Sequence, residues 1–135
     1  METFEIKDAE SSTVLSFEGR VPRGLTGYEG CQFLVRFSSN PVTATVLVYD
    51  VRPCKWGDFF RDMARDWKGW VGVKDQGSLE GHVSLEATSD SSGHIRLAVR
   101  LRGAEVRSSW FAESSIVLEA GQLESLASRA RAYFG

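Results

Sequence analysis

The chain has 135 residues, 42% hydrophobic and 25% charged, with a formal net charge of −2. This composition fits one globular domain spanning residues 1–135, large enough to bury a core without metal or disulfide staples. The balanced charge gives little counterion-release drive toward phosphate backbones, so nucleic acid is not the expected partner. The longest apolar run, Val46 to Tyr49, is far too short for a membrane span, and the N-terminal METFEIKD has no signal-peptide core, so the expected location is the cytoplasm. Cys31 and Cys54 stand in no metal or redox spacing. Two reduced thiols are expected, with a disulfide between them as the alternative.

Strand signals come first. Phe4 and Ile6 alternate with charged neighbours, and Thr13, Leu15 and Phe17 alternate with Val14, Ser16 and Glu18. Residues 21–30, with glycines at 24, 27 and 30, read as a loop. CQFLVRF (31–37), the turn cluster Ser38 to Pro41, and VTATVLVYDV (42–51) read as a hairpin. The second strand is apolar on both faces around Val46 to Tyr49, which predicts a central strand covered on both sides.

The period then changes to that of a helix. Asp58 is the predicted N-cap, Phe60, Met63, Ala64 and Trp67 form the predicted buried stripe, and Gly69 is the predicted stop, with Trp70 folded back onto the last turn. Asp58, Asp62 and Asp66 then share one face, an acidic stripe that could meet a basic partner; the alternative is a solvated face neutralised by Arg61 and Arg65.

A second set of strands follows. Leu79, Val83, Leu85 and Ala87 are predicted to point inward from one strand, and Ile95, Leu97, Val99 and Leu101 from the next. Placing Thr88 opposite His94 sets Glu86 against Arg96, His82 against Arg100 and Glu80 against Arg102, with both histidines exposed. Six residues then separate the histidines along the hairpin, about 20 Å at strand rise, too far to share a metal. A last strand over 105–120 points Val106, Trp110, Ile116 and Leu118 one way, with a bulge near Ser114. Leu123, Leu126, Ala127, Ala130 and Phe134 form a closing amphipathic helix. The order β-β-β-β-α-β-β-β-α predicts an α+β fold: a curved antiparallel sheet of about six or seven strands with both helices on one face.

No nucleophile elbow, HExxH, CxxC or phosphate-binding glycine spacing is present, so no catalytic residue, metal ligand or cofactor site is assigned. Of the four tryptophans, Trp67 and Trp110 follow the core pattern, whereas Trp56 and Trp70 flank the helix and are assigned as surface anchors, with a core role as the alternative.

Tyr28-Glu29-Gly30, Trp67-Lys68-Gly69-Trp70, Ser78-Leu79-Glu80-Gly81, Asp90, Gly93-His94, Leu101-Arg102, Trp110 and Leu118 through Leu123 together resemble an actinobacterial family of small cytosolic proteins of unknown function. More loosely, the layout is similar to WapI-like immunity proteins, which neutralise secreted toxins. That resemblance implies a non-enzymatic protein-binding domain with a toxin as partner. The expected contact residues are Trp56, Asp58, Asp62, Asp66 and Trp70, with Glu80 and Glu86 as a second acidic surface. The alternatives are a small-ligand domain, its ligand held between sheet and first helix near Phe60, Met63 and Trp110, and an enzyme with a carboxylate-based site.

Overall fold

The computed structural model describes residues 3–20, 31–50, 54–103 and 110–135. The loop expected over 21–30, Val51 and Val106 lie outside the described residues. The elements in chain order are β1 (Thr3–Lys7), β2 (Val14–Glu18), β3 (Cys31–Ser39), β4 (Val42–Asp50), α1 (Trp56–Arg65), β5 (Lys74–Gly77), β6 (Val83–Ser89), β7 (His94–Arg102), β8 (Phe111–Glu119), a 3-10 turn (Ala120–Gln122) and α2 (Leu123–Phe134).

The fold is α+β, but its strands form two four-stranded antiparallel sheets, ordered β1-β2-β3-β4 and β5-β6-β7-β8, rather than one sheet of six or seven. The extra strand, Lys74-Asp75-Gln76-Gly77, has no apolar alternation to reveal it. Where one curved sheet was expected, the connection after β1 bonds to β8 of the second sheet, and β4 also lies against β7. The Ala9 amide donates to the Val117 carbonyl at 2.9 Å, and the Val117 amide donates to the Asp8 carboxylate at 2.9 Å.

Burial pushes the Asp8 carboxyl up, yet donors from Ser11 and from the Val117, Glu10 and Ala9 backbones outweigh it and hold it below its usual value. A depressed carboxyl contributes stability above its unfolded pKa and loses it as pH falls through its folded value. Asp8→Ala is therefore expected to cost about 1 kcal/mol at neutral pH, with the gap to wild type closing in acid once the carboxylate is protonated in both states. Paired thermal melts at neutral and acidic pH measure it, and a gap that widens in acid would contradict this role.

Alternation dictates the two inward faces. Phe4, Ile6, Leu15, Phe17, Phe33, Val35, Val46 and Val48 are buried from the first sheet, and Val83, Leu85, Ala87, Ile95, Leu97, Val99, Leu101, Ile116 and Leu118 from the second. The helices pack against each other. Their rings (Trp56 and Phe60 from α1, Phe134 from α2) meet Phe4, Phe17 and Phe33 of the first sheet. The buried residues of both sheets and both helices join one hydrophobic cluster. Among the described residues, no helix is long and apolar enough to cross a membrane.

Three strand expectations are corrected. β4 is an edge strand, not a central one, and its outer face leaves Leu47 and Tyr49 about 40% exposed (37% and 43%). The β6–β7 register differs by two residues: Thr88 faces Arg96, Glu86 faces Ala98 and Ser84 faces Arg100. The cause is a tighter turn. The Asp90 amide bonds the His94 carbonyl, leaving Ser91, Ser92 and Gly93 as a three-residue loop with Gly93 at φ 85°. β8 pairs continuously with β7, with no bulge at Ser114. Cys31, at the start of β3, lies beside Cys54 ahead of α1, with Cα atoms 5.9 Å apart, a separation that the disulfide alternative spans.

Candidate contact surface

The apolar stripe of α1 begins one turn earlier than the sequence pattern suggested. Trp56, Phe59, Phe60 and Met63 are its buried residues, at i, i+3, i+4 and i+7. Asp58 is therefore not the N-cap but a first-turn residue, where its charge suits the helix dipole. The helix closes at Asp66, whose amide bonds the Asp62 carbonyl at 3.2 Å, and a turn follows in which the Gly69 amide bonds the Asp66 carbonyl.

This one-turn difference reverses the expected roles of the tryptophans. Trp56, assigned as a surface anchor, is fully buried, and its indole N–H donates to the Asp50 carboxylate at 3.0 Å. Trp67, assigned to the core, lies beyond the helix end and is 53% exposed. Trp70 is half-buried: its indole N–H donates to the Ala87 carbonyl of β6 at 3.3 Å, and the Lys74 ammonium lies 5.2 Å from its ring centre. It packs onto β6 rather than onto the last helical turn. Gly69, at φ 122°, makes that path possible, and a Cβ there would meet the Ser89 hydroxyl at 3.3 Å. Trp110, also assigned to the core, is 44% exposed.

Of the stripe's carboxylates, Asp58 is exposed and Asp62 and Asp66 are partly buried, each beside a cation. Asp58 pairs with Arg61 at 2.8 Å, Asp62 with Arg65 at 3.2 Å, and Asp66 with Arg65 at 3.3 Å and Lys74 at 2.7 Å. The Lys74 and Arg65 hydrogen bonds hold the Asp66 carboxyl below its usual range. The stripe is thus a mixed-charge face. Beside it, Trp67, Arg61, Ala64, Arg65, Ala120, Gly121 and Glu124 line an open cleft of about 570 Å³.

The second acidic surface does not assemble as expected. Glu80 lies in the β5–β6 turn, 3.1 Å from the His82 ring, whereas Glu86 lies on the outer face of β6 opposite Asp75. His82, expected to be exposed, is buried, and among the described residues its Nδ1 has no hydrogen-bond partner. Leu79, expected inward, is 63% exposed because β6 begins only at Val83.

One constellation looks chemical at first sight. The Ser92 hydroxyl is 2.9 Å from His94 Nδ1 and 2.9 Å from the Asp90 carboxylate. A nucleophile relay needs serine and carboxylate on opposite ring nitrogens, whereas both are nearest Nδ1 here, Asp90 at 3.7 Å. Asp90 also accepts the Ser92 and His94 amides, so the group closes the β6–β7 turn. Among the described residues, no three His, Cys, Asp or Glu side chains gather in a way that could hold a metal ion.

Sequence reasoning missed Trp67 as a surface residue. Phe59 was the available signal, because only a stripe that starts at Trp56 uses it. Neither the curated proteins nor the solved structures contain a match to the chain. A family model does match, described as a family of unknown function (DUF6228), over residues 6–135. The resemblance read from the sequence is thus supported at the level of a family of unknown function, without a link to actinobacteria or to WapI-like proteins. With nearly its whole length matched, the chain belongs to that family of unknown function, DUF6228.

Proposed function

We propose that this chain is a protein-binding domain without chemistry of its own, and that its contact surface is the C-terminal end of α1 and the connector after it. The observation that carries this reading is Trp67: a large aromatic, 53% exposed, beside an open cleft and between charged side chains. Binding hot spots favour tryptophan and arginine inside a polar rim, and Arg61 and Arg65 lie beside this indole with Asp58, Asp62 and Asp66 around them. Trp56 leaves the proposed contact set because it is buried, and Trp70 serves to dock the connector on β6.

The small-ligand alternative loses its support. Phe60 and Met63 have no exposed surface, Phe60 is in ring contact with Phe4, Phe17, Phe59 and Phe134, and Trp110 lies outside. The finer reading, a cytoplasmic immunity protein that covers a toxin's active region, draws on the resemblance of layout alone. Titration calorimetry against a toxin domain encoded beside this gene tests it. Tight binding that weakens with salt is expected, because paired rim charges steer association. Absence of binding to every neighbouring candidate would remove the immunity reading.

A further inference from the structure

We propose that the free edge of β8, from Phe111 to Ser115, takes an extended peptide of a partner protein, one that carries a basic residue between apolar ones. β8 is the last strand of the second sheet, so only one of its sides meets β7. The ends of the ladder show which residues face the other side. The Trp110 carbonyl accepts the Gly103 amide at 3.1 Å, and the Ala120 amide donates to the Gly93 carbonyl at 2.9 Å. Even-numbered positions therefore bond across to β7, and odd-numbered ones turn their N–H and C=O groups to the free edge. At Val117 both groups are taken, by the Asp8 carboxylate and the Ala9 amide, and the Glu119 amide donates to the Gln122 side chain at 2.8 Å. Phe111, Glu113 and Ser115 differ: among the described residues, no hydrogen bond reaches their outward backbone groups.

These amides and carbonyls, in a row over about 15 Å, are a template for one added strand. The Asp8–Ala9 segment already bonds to the same edge at Val117. The side chains along the edge set the chemistry of the occupant. β8, FAESSIVLE, carries no cation, and Glu113 stands on its outer face, with Glu10 beside Val117 where the cover ends. Arg100 pairs with Glu113 at 3.2 Å from β7, but the Glu113 side chain is 55% exposed and keeps an open side toward the edge. A lysine or arginine of the added strand would sit opposite Glu113 as a cross-strand partner. On the inner face Ala112 and Ser114 are small and lie beside the buried Leu101 and Val99, so the flanking positions suit apolar side chains. The exposed Phe111 ring offers a surface to a β-branched neighbour.

A second copy of the chain fits this edge less well. A two-fold axis through Glu113 sets Glu113 against itself and Phe111 against Ser115, so like charges meet at the centre. The edge uses neither Trp67 nor the α1 carboxylates, so it stands apart from the proposed partner site.

Heteronuclear NMR of the isotope-labelled chain, titrated with the capped peptide Thr-Val-Lys-Val-Thr, tests the proposal. The Phe111, Glu113 and Ser115 amides are expected to shift and to saturate with a dissociation constant on the order of 1 mM. The same peptide with glutamate for lysine should bind about three- to tenfold more weakly, and Glu113→Lys, at an exposed position, should reverse that preference. Should Glu113→Lys fail to fold, the lysine peptide methylated on its lysine amide carries the test. It keeps every side chain and should lose binding, because that amide bonds to β8. No shift up to about 5 mM peptide would overturn the proposal. So would equal affinity for the two peptides, a preference that survives Glu113→Lys, a methylated peptide that still binds, or shifts that grow with chain concentration alone.

Discussion

Replacing Trp56 with alanine is expected to cost about 4 kcal/mol, a large share of the stability of a domain this size. The side chain has no exposed surface and its ring meets those of Phe17, Phe33 and Phe134. Its removal leaves a cavity where α1, α2 and the first sheet converge, and takes away the indole donor that the buried Asp50 carboxylate accepts. Trp67→Ala, eleven residues on, should change stability by no more than about 0.5 kcal/mol, since that side chain is half in solvent. Urea unfolding of the two variants side by side measures the contrast. Equal losses, or a larger loss at Trp67, would mean that α1 continues to Trp67 and that the stripe is one turn later.

Phe134→Ala should cost nearly as much, about 3–4 kcal/mol. Its ring contacts those of Phe4, Phe17, Phe33, Trp56, Phe60 and Tyr133, so this one residue touches both the first sheet and α1, beside the other buried residues of α2. At Gly57 a Cβ would lie 3.7 Å from the Phe134 Cβ, an ordinary van der Waals contact, so an alanine fits there. The neighbouring Tyr133 hydroxyl is buried, and burial pushes its pKa up to about 12, so the phenol stays neutral across the ordinary pH range. Because Trp56 and Phe134 share one cluster, the double alanine variant should lose less than the sum of the two singles. Strict additivity would show that the rings pack independently.

The sequence carried the inward faces of β6 and β7 because period-2 alternation is strong there, and most of the buried side of α2 because its 3.6-period stripe is long. It did not carry the start of α1. Two stripes overlap in that segment, Trp56-Phe59-Phe60-Met63 and Phe60-Met63-Ala64-Trp67, and local pattern cannot rank them. Tertiary packing decides: the ring cluster takes Trp56, and Trp70 draws the connector onto β6. The β6–β7 register depended on a turn closed by the Asp90 side chain, which composition marks as a loop without giving its length. β4 looked central because a run of Val, Leu and Tyr reads alike whether its outer face is covered or bare. For the contact surface, the acidic spacing on α1 was legible, whereas the indole beside it changed once the helix end moved.

The proposed role of Trp67 as the anchor of a protein contact is tested by titration calorimetry with any toxin domain encoded beside the gene, comparing wild type, Trp67→Ala and Glu86→Ala. Trp67→Ala should weaken binding at least about tenfold while its unfolding midpoint stays near wild type, and Glu86→Ala, on another face, should bind as wild type. A Trp67→Ala variant that binds a partner as tightly as wild type would contradict the assignment of the α1 end as the contact surface.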